Sequence, residues 1–229
     1  MTFFSPLYLL IVGPAILLAF YAQWKVKSTY RKYSQVTASS GLTARQTAQR
    51  ILERLPERVT IETIAGKLTD HYDPRAKVLR LSNPESRALA DIGVAAHEAG
   101  HAVQDAHNYQ PLAWRTAIVP VANFGSQLAF PLLFVGFLIP KFFEPLLLVA
   151  ILAYSAAVLF TLVTLPVEFN ASRRAMVLLR QSGAVTSGQE LSAVGKVLNA
   201  AALTYVAAAA SAVLTLAYYI IIFLSGRRR

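Results

Sequence analysis

Two histidines four residues apart, with a glutamate directly after the first, have a spacing with a defined chemistry: His97-Glu98-Ala99-Gly100-His101. On a helix, positions four apart lie one turn apart on the same face, so both imidazoles reach one metal ion. Glu98 then sits beside that face, within reach of a water on the metal. Zinc lowers the pKa of such a water to ~7, and the carboxylate takes its proton as it attacks a peptide carbonyl. Gly100 leaves space near the metal, at a helix-propensity cost of about 1 kcal/mol. The ordinary alternative is a pair of hydrogen-bonded histidines on a helix without catalytic work.

A catalytic zinc takes three protein ligands and keeps one position open. The chain has no cysteine, which excludes thiolate sites, disulfides and a cysteine nucleophile. It has four histidines, His71, His97, His101 and His107, so the third ligand must be another His, an Asp or a Glu. His107 stands at the metzincin spacing after His101, but Gln104 occupies the place of the glycine that lets that chain turn back. The only methionines are Met1 and Met176, so a Met-turn is not provided either. Glu168, in Leu165-Pro166-Val167-Glu168-Phe169-Asn170-Ala171-Ser172-Arg173-Arg174, is the second candidate. It opens a helical pattern at the edge of an apolar run. A carboxylate in that place either binds the metal or stabilises the helix N-terminus and pairs with Arg173 or Arg174.

The elements that must position these residues are mostly apolar. Hydrophobic residues make up 55% of the 229 residues and the mean hydropathy is +0.46, too high for an ordinary soluble domain. Residues 6–24 form an uncharged run long enough to cross a ~30 Å hydrocarbon core, without the flanks of a cleaved signal peptide. Three further runs, about 118–139, 146–166 and 200–224, are also long enough. Lys141 to Glu144 break the middle two into a helical hairpin. Between the first two runs lies a polar region. Residues 43–55 read as an amphipathic helix with Thr43 and Gln46 in capping-box spacing and a stop at Pro56. Residues 59–64 alternate like a strand, and Asp73-Pro74 marks the turn of a short hairpin. Residues 87–107 read as the helix that carries the histidine pair.

The net charge is +10. The positive residues lack the interleaved exposed aromatics of a nucleic-acid surface and instead flank the apolar runs, as membrane orientation requires. Residues 25–118 and 166–202 hold 18 of the 22 Lys and Arg, which places both stretches on the cytoplasmic side. Arg227, Arg228 and Arg229 run against that rule, so the orientation of the last span rests on the earlier cluster. Ionisable residues are missing from the apolar cores after the first span, which speaks against a transporter.

Several blocks occur in a familiar order: LTDHYDPRAKVLRLS, AAHEAGHAVQ, VPVANFGS, LVTLPVEFNASRRA and KVLNAAALTYVAAA. Over nearly its whole length the chain resembles the YugP-like family of bacterial membrane zinc metallopeptidases, similar in plan to HtpX-type proteases. The resemblance implies His97, His101 and Glu168 as ligands of one Zn2+ and Glu98 as catalytic base. Asn170 stands where Asp is expected in that family, and Ser172 where HtpX-type proteins carry another Asp. Both changes bear on how firmly the ligands are held. In related peptidases an edge strand beside the metal pairs with extended substrate, a role open to the hairpin around His71. His71 itself either donates to the developing oxyanion or simply orders Asp70 or Asp73.

The expected fold class is a mainly α integral membrane protein of about four transmembrane helices with a small cytoplasmic zincin-like α+β part. Its expected divisions are an anchor over 1–24, a cytoplasmic region over 25–117, a transmembrane hairpin over 118–166, a cytoplasmic helix over 167–199 and a last span and tail over 200–229. The expected function is hydrolysis of membrane or unfolded proteins at the bacterial plasma membrane, with the site on the cytoplasmic side. Expected partners are a protein or peptide substrate and the lipid bilayer, with no nucleic acid. A scaffold or chaperone-like protein with a structural metal is the competing class, and the intact Glu98 argues against it.

Overall fold

Thr43 starts the first helix of the polar region. Its side chain accepts from the Gln46 N–H at 3.1 Å, while the Gln46 side chain accepts from the Thr43 N–H at 3.0 Å. This reciprocal capping box satisfies two of the donors that a helix start leaves without a partner. In the computed structural model, which describes residues 5–226, the helix order is α1 (Pro6–Tyr33), α2 (Ala44–Leu52), α3 (Leu89–Ala106), α4 (Gln110–Leu138), α5 (Phe143–Gln181) and α6 (Gly188–Gly226). The 227–229 arginine triplet lies outside the described residues. Strands β1 (Thr60–Thr63), β2 (His71–Asp73) and β3 (Val78–Leu81) lie between α2 and α3.

Among the described residues, four helices, α1, α4, α5 and α6, are long and apolar enough to cross a membrane. They run past the apolar segments that reveal them: α1 continues to Tyr33, and α6 begins at Gly188 rather than near 200. The polar break before α5 is a short 3-10 turn, Pro140–Phe142.

The chain divides into two compact units. The first comprises Trp114–Pro166 with the helical stretches before residue 23 and after residue 203. Its helices expose large apolar side chains such as Leu10, Leu17, Phe20, Phe124 and Leu152, a surface suited to lipid rather than water. Inside it, α4 and α5 approach closely at Gly125, where an added Cβ would lie 2.2 Å from the Ala153 carbonyl oxygen. Small residues allow such backbone proximity where lipid supplies no hydrophobic drive between helices.

The second unit, Gln23–Ala113 and Val167–Leu203, has its own core. Ile51, Leu79, Leu81, Leu89, Ile92, Leu179, Val185 and Val194 are buried there. The expected hairpin is present as the antiparallel pair β2–β3, with Tyr72 opposite Leu79. Asp73 holds the turn by accepting from the N–H groups of Arg75 and Ala76, at 2.9 and 3.1 Å. The strand order is β1-β3-β2, with β1 parallel to β3, so β2 is an edge.

Candidate metal centre

Helix α3 buries alanine and leucine along one side and turns His97, Glu98 and His101 toward α5 and β2. Its Gly100 faces the α5 backbone, and a Cβ there would stand 2.8 Å from the Ala171 carbonyl oxygen. The two helices therefore meet backbone to backbone one residue before His101 and three after Glu168. That approach brings Glu168 Oε2 to 3.1 Å from His97 Nε2 and 3.6 Å from His101 Nε2. One ligand atom from each of the three residues lies within 4.8 Å of the others. The imidazole planes stand at 85° to each other, an arrangement for aiming at a common point rather than stacking. Glu168 is 2% exposed.

Hydrogen bonds behind the ligands set their orientation. Gln104 is fully buried, and its amide nitrogen donates to the Val167 carbonyl at 2.8 Å and to Asn170 Oδ1 at 3.0 Å. A carbonyl only accepts, so the Gln104 oxygen is the atom that faces His101 Nδ1 at 2.9 Å. His101 therefore carries its proton on Nδ1 and presents the Nε2 lone pair to Glu168. Arg174 completes the chain by donating from Nε to Asn170 Oδ1 at 2.7 Å. His97 Nδ1 meets Ser172 Oγ at 3.2 Å. Asn170 and Ser172 are thus part of the support behind the two imidazole rings.

Glu98 accepts from the main-chain N–H of Tyr72 at 3.1 Å. Because Tyr72 spends that donor on Glu98, its N–H lies on the free side of edge strand β2 rather than in the ladder with β3. Burial pushes the Glu98 carboxyl up to about 7, against the opposing pull of His97. The Tyr72 hydroxyl donates to Asp105 at 2.6 Å, and Lys77 bridges Asp105 and Glu57 at 2.8 and 3.0 Å. Burial, then the Asp105 hydrogen bond, holds the Tyr72 phenol well above its ordinary range. These contacts tie β2 and the following turn to the C-terminal half of α3.

His71 and His107 lie outside the ligand cluster. His71 Nδ1 is 2.9 Å from the Thr69 carbonyl and so carries the proton, while Nε2 accepts from Arg80 at 3.3 Å. Arg80 also reaches Asp73 at 3.5 Å, so in this arrangement His71 helps to order the turn, with neither ring nitrogen left to donate elsewhere. His107 caps α3, its Nδ1 donating to the Val103 carbonyl of its own helix at 2.7 Å. Arg173 is exposed. Sequence reasoning treated Gln104 only as an obstacle to a metzincin turn. Its place three residues after His101, on the same helical face, was the signal for its role.

The donor chemistry fits a zinc ion: two imidazole nitrogens, each ring held from behind, converge with a buried carboxylate oxygen. With its proton on Nδ1, His101 turns the Nε2 lone pair toward the Glu168 carboxylate at 3.6 Å, and the two repel unless a proton or a cation lies between them. A helix bearing two histidines one turn apart, completed by a glutamate from a second helix, is the ligand set of zinc metallopeptidases. The chain belongs to such a family: a family model described as "Putative neutral zinc metallopeptidase" matches residues 8–224. It is 47% identical over 224 residues to "Putative membrane protease YugP" of Bacillus subtilis (strain 168), covering 96% of this chain and 98% of that protein. No solved structure matches it.

Replacing Gln104 with Leu removes the acceptor that fixes His101 and leaves the Nδ1 proton buried without a partner. Zinc affinity is expected to fall about 10–100-fold with the fold retained, read by competition with a chromogenic chelator. Unchanged affinity would show that His101 needs no such support.

Proposed function

We propose that this protein is a membrane-embedded zinc metalloendopeptidase in which His97, His101 and Glu168 hold one Zn2+ and Glu98 is the general base. The observation that carries the reading is the convergence of those three ligand atoms on one point, with Glu98 adjacent to His97. Zinc bound there supplies Lewis acidity toward a water and a substrate carbonyl. Glu98 accepts the proton of the attacking water at its carboxylate and passes it to the leaving amine. The free edge of β2 supports main-chain pairing with an extended substrate next to Glu98. His71, through Arg80 and Asp73, positions that strand.

The substrates follow from where the ligands fall in the chain. Glu168 comes two residues after the end of an apolar span, which favours membrane proteins and unfolded chains at the bilayer surface. The distribution of Lys and Arg supports a site on the cytoplasmic side of the plasma membrane. Metal analysis of purified variants tests the assignment. Wild type and His107→Ala are expected to hold one zinc per chain, and His97→Ala and Glu168→Ala to lose it. Zinc retained in Glu168→Ala but lost in His107→Ala would overturn the ligand set.

A further inference from the structure

Helix α1 leaves its apolar run at Trp24 and then presents Lys25, Thr29 and Lys32 at helical spacing along one face. Lys196 and Asn199 do the same on α6, just before its apolar segment begins. These two faces line one groove of about 450 Å³ within the second unit. Its lining contains three lysines and no carboxylate. All three lysines are exposed, and none is paired with an acid among the described residues. Lys32 lies over the Tyr33 ring, 5.5 Å from its centroid, a contact that leaves its charge uncompensated. Trp24, 61% exposed, stands at the end of the groove where the apolar run begins.

Three like charges around one concavity repel unless an anion sits among them, and the hydroxyl and amide beside them add neutral donors for its oxygens. Trp prefers the level of the lipid headgroups, with its ring toward the acyl chains. A phosphate with an apolar tail satisfies both ends at once. We propose that the groove between α1 and α6 binds the phosphate of an anionic phospholipid from the cytoplasmic leaflet, with the lysines on the headgroup and Trp24 against the first acyl methylenes. Lipid attraction in general needs only diffuse basic charge; a shaped groove predicts a retained lipid and selectivity among headgroups. The proposal does not depend on the metal centre.

The full-length protein would be placed in nanodiscs of phosphatidylcholine with a minority of phosphatidylglycerol, then released and weighed by native mass spectrometry. Wild type is expected to retain phosphatidylglycerol in preference to the more abundant phosphatidylcholine. Lys25→Gln, Lys32→Gln and Lys196→Gln combined should lower that retention about 100-fold, at about fivefold per lysine. Arg58→Gln, Lys67→Gln and Arg75→Gln combined remove the same charge from exposed positions elsewhere in the unit and should leave retention unchanged. Melting temperatures of both variants check that they fold. Equal retention by the groove variant and wild type, or equal loss in both variants, would overturn the proposal. A further arm adds inorganic phosphate to lipid-free protein in detergent. Lysine-dependent stabilisation there, combined with no headgroup preference in the nanodiscs, would assign the groove to a soluble phosphate and sink the lipid assignment.

Discussion

Glu98→Gln is expected to keep its zinc and lose peptide hydrolysis by about 10²–10⁴-fold, the range that a positioned general base contributes. Glutamine keeps the size of the side chain and an oxygen that can still accept from the Tyr72 N–H, so the strand contact at 3.1 Å survives. What it lacks is a place for the proton of the attacking water. The effect should fall on kcat with little change in KM, because binding of an extended chain along β2 does not use that proton. Atomic absorption on the variant and a fluorogenic unfolded substrate give the two readouts. Full activity with normal zinc would remove Glu98 from the mechanism and pass the role of general base to another group.

Gly100→Leu is expected to abolish stoichiometric zinc binding without touching a ligand. Even a methyl group at this position would lie 2.8 Å from the Ala171 carbonyl oxygen, and that atom belongs to the α5 backbone and cannot rotate away. The helices must separate, and Glu168, one turn before Ala171, moves off with α5. Ligand distances tolerate only a few tenths of an ångström, so the site opens. Overpacking also costs about 1–3 kcal/mol, which offsets the roughly 1 kcal/mol that leaving glycine gains in helix propensity. A lowered melting temperature together with lost zinc is the expected pair of results. Wild-type zinc affinity in a folded Gly100→Leu protein would show that the backbone approach does not set the ligand geometry.

The parts of this protein legible in its sequence are those with a local signature. The capping box of Thr43 and Gln46 gave the start of α2 to the residue, whereas its end came at Leu52 instead of Leu55. Leu55 precedes Pro56, and a residue before proline is pushed out of the helical region, so the last turn unwinds early. The β2–β3 hairpin was visible because its turn chemistry lies between its strands. The parallel pairing of β1 with β3 was not, since partners such as Ile61 and Leu79 are far apart in the chain and share no local mark. Helix lengths were underestimated because an apolar run records contact with lipid, and α1 and α6 continue through polar sequence without changing their backbone.

The same division holds at the candidate metal centre. A spacing of four residues revealed His97 and His101, because one helix carries both. Glu168 is 71 residues from His97, and residue types alone left it in competition with His107. The structure separates the two by placing the His107 ring against its own helix and Glu168 against both imidazoles. Gln104 and Ser172 were each in view for other reasons. Their contacts with the ligand rings depend on the crossing of α3 and α5, which no single segment encodes.

The neutral character of those two contacts has a consequence for which ions the pocket admits. Many metal-binding imidazoles lean on an acid, but here His101 leans on an amide and His97 on a hydroxyl. If these residues hold an ion as proposed, the surrounding ring contributes two formal negative charges, from Glu168 and from Glu98 when ionised. A divalent cation makes the sum zero, whereas a monovalent or trivalent ion leaves a net charge in a poorly hydrated place, where such an excess is expensive. Electroneutrality would thus discriminate by valence before geometry discriminates among the divalent metals.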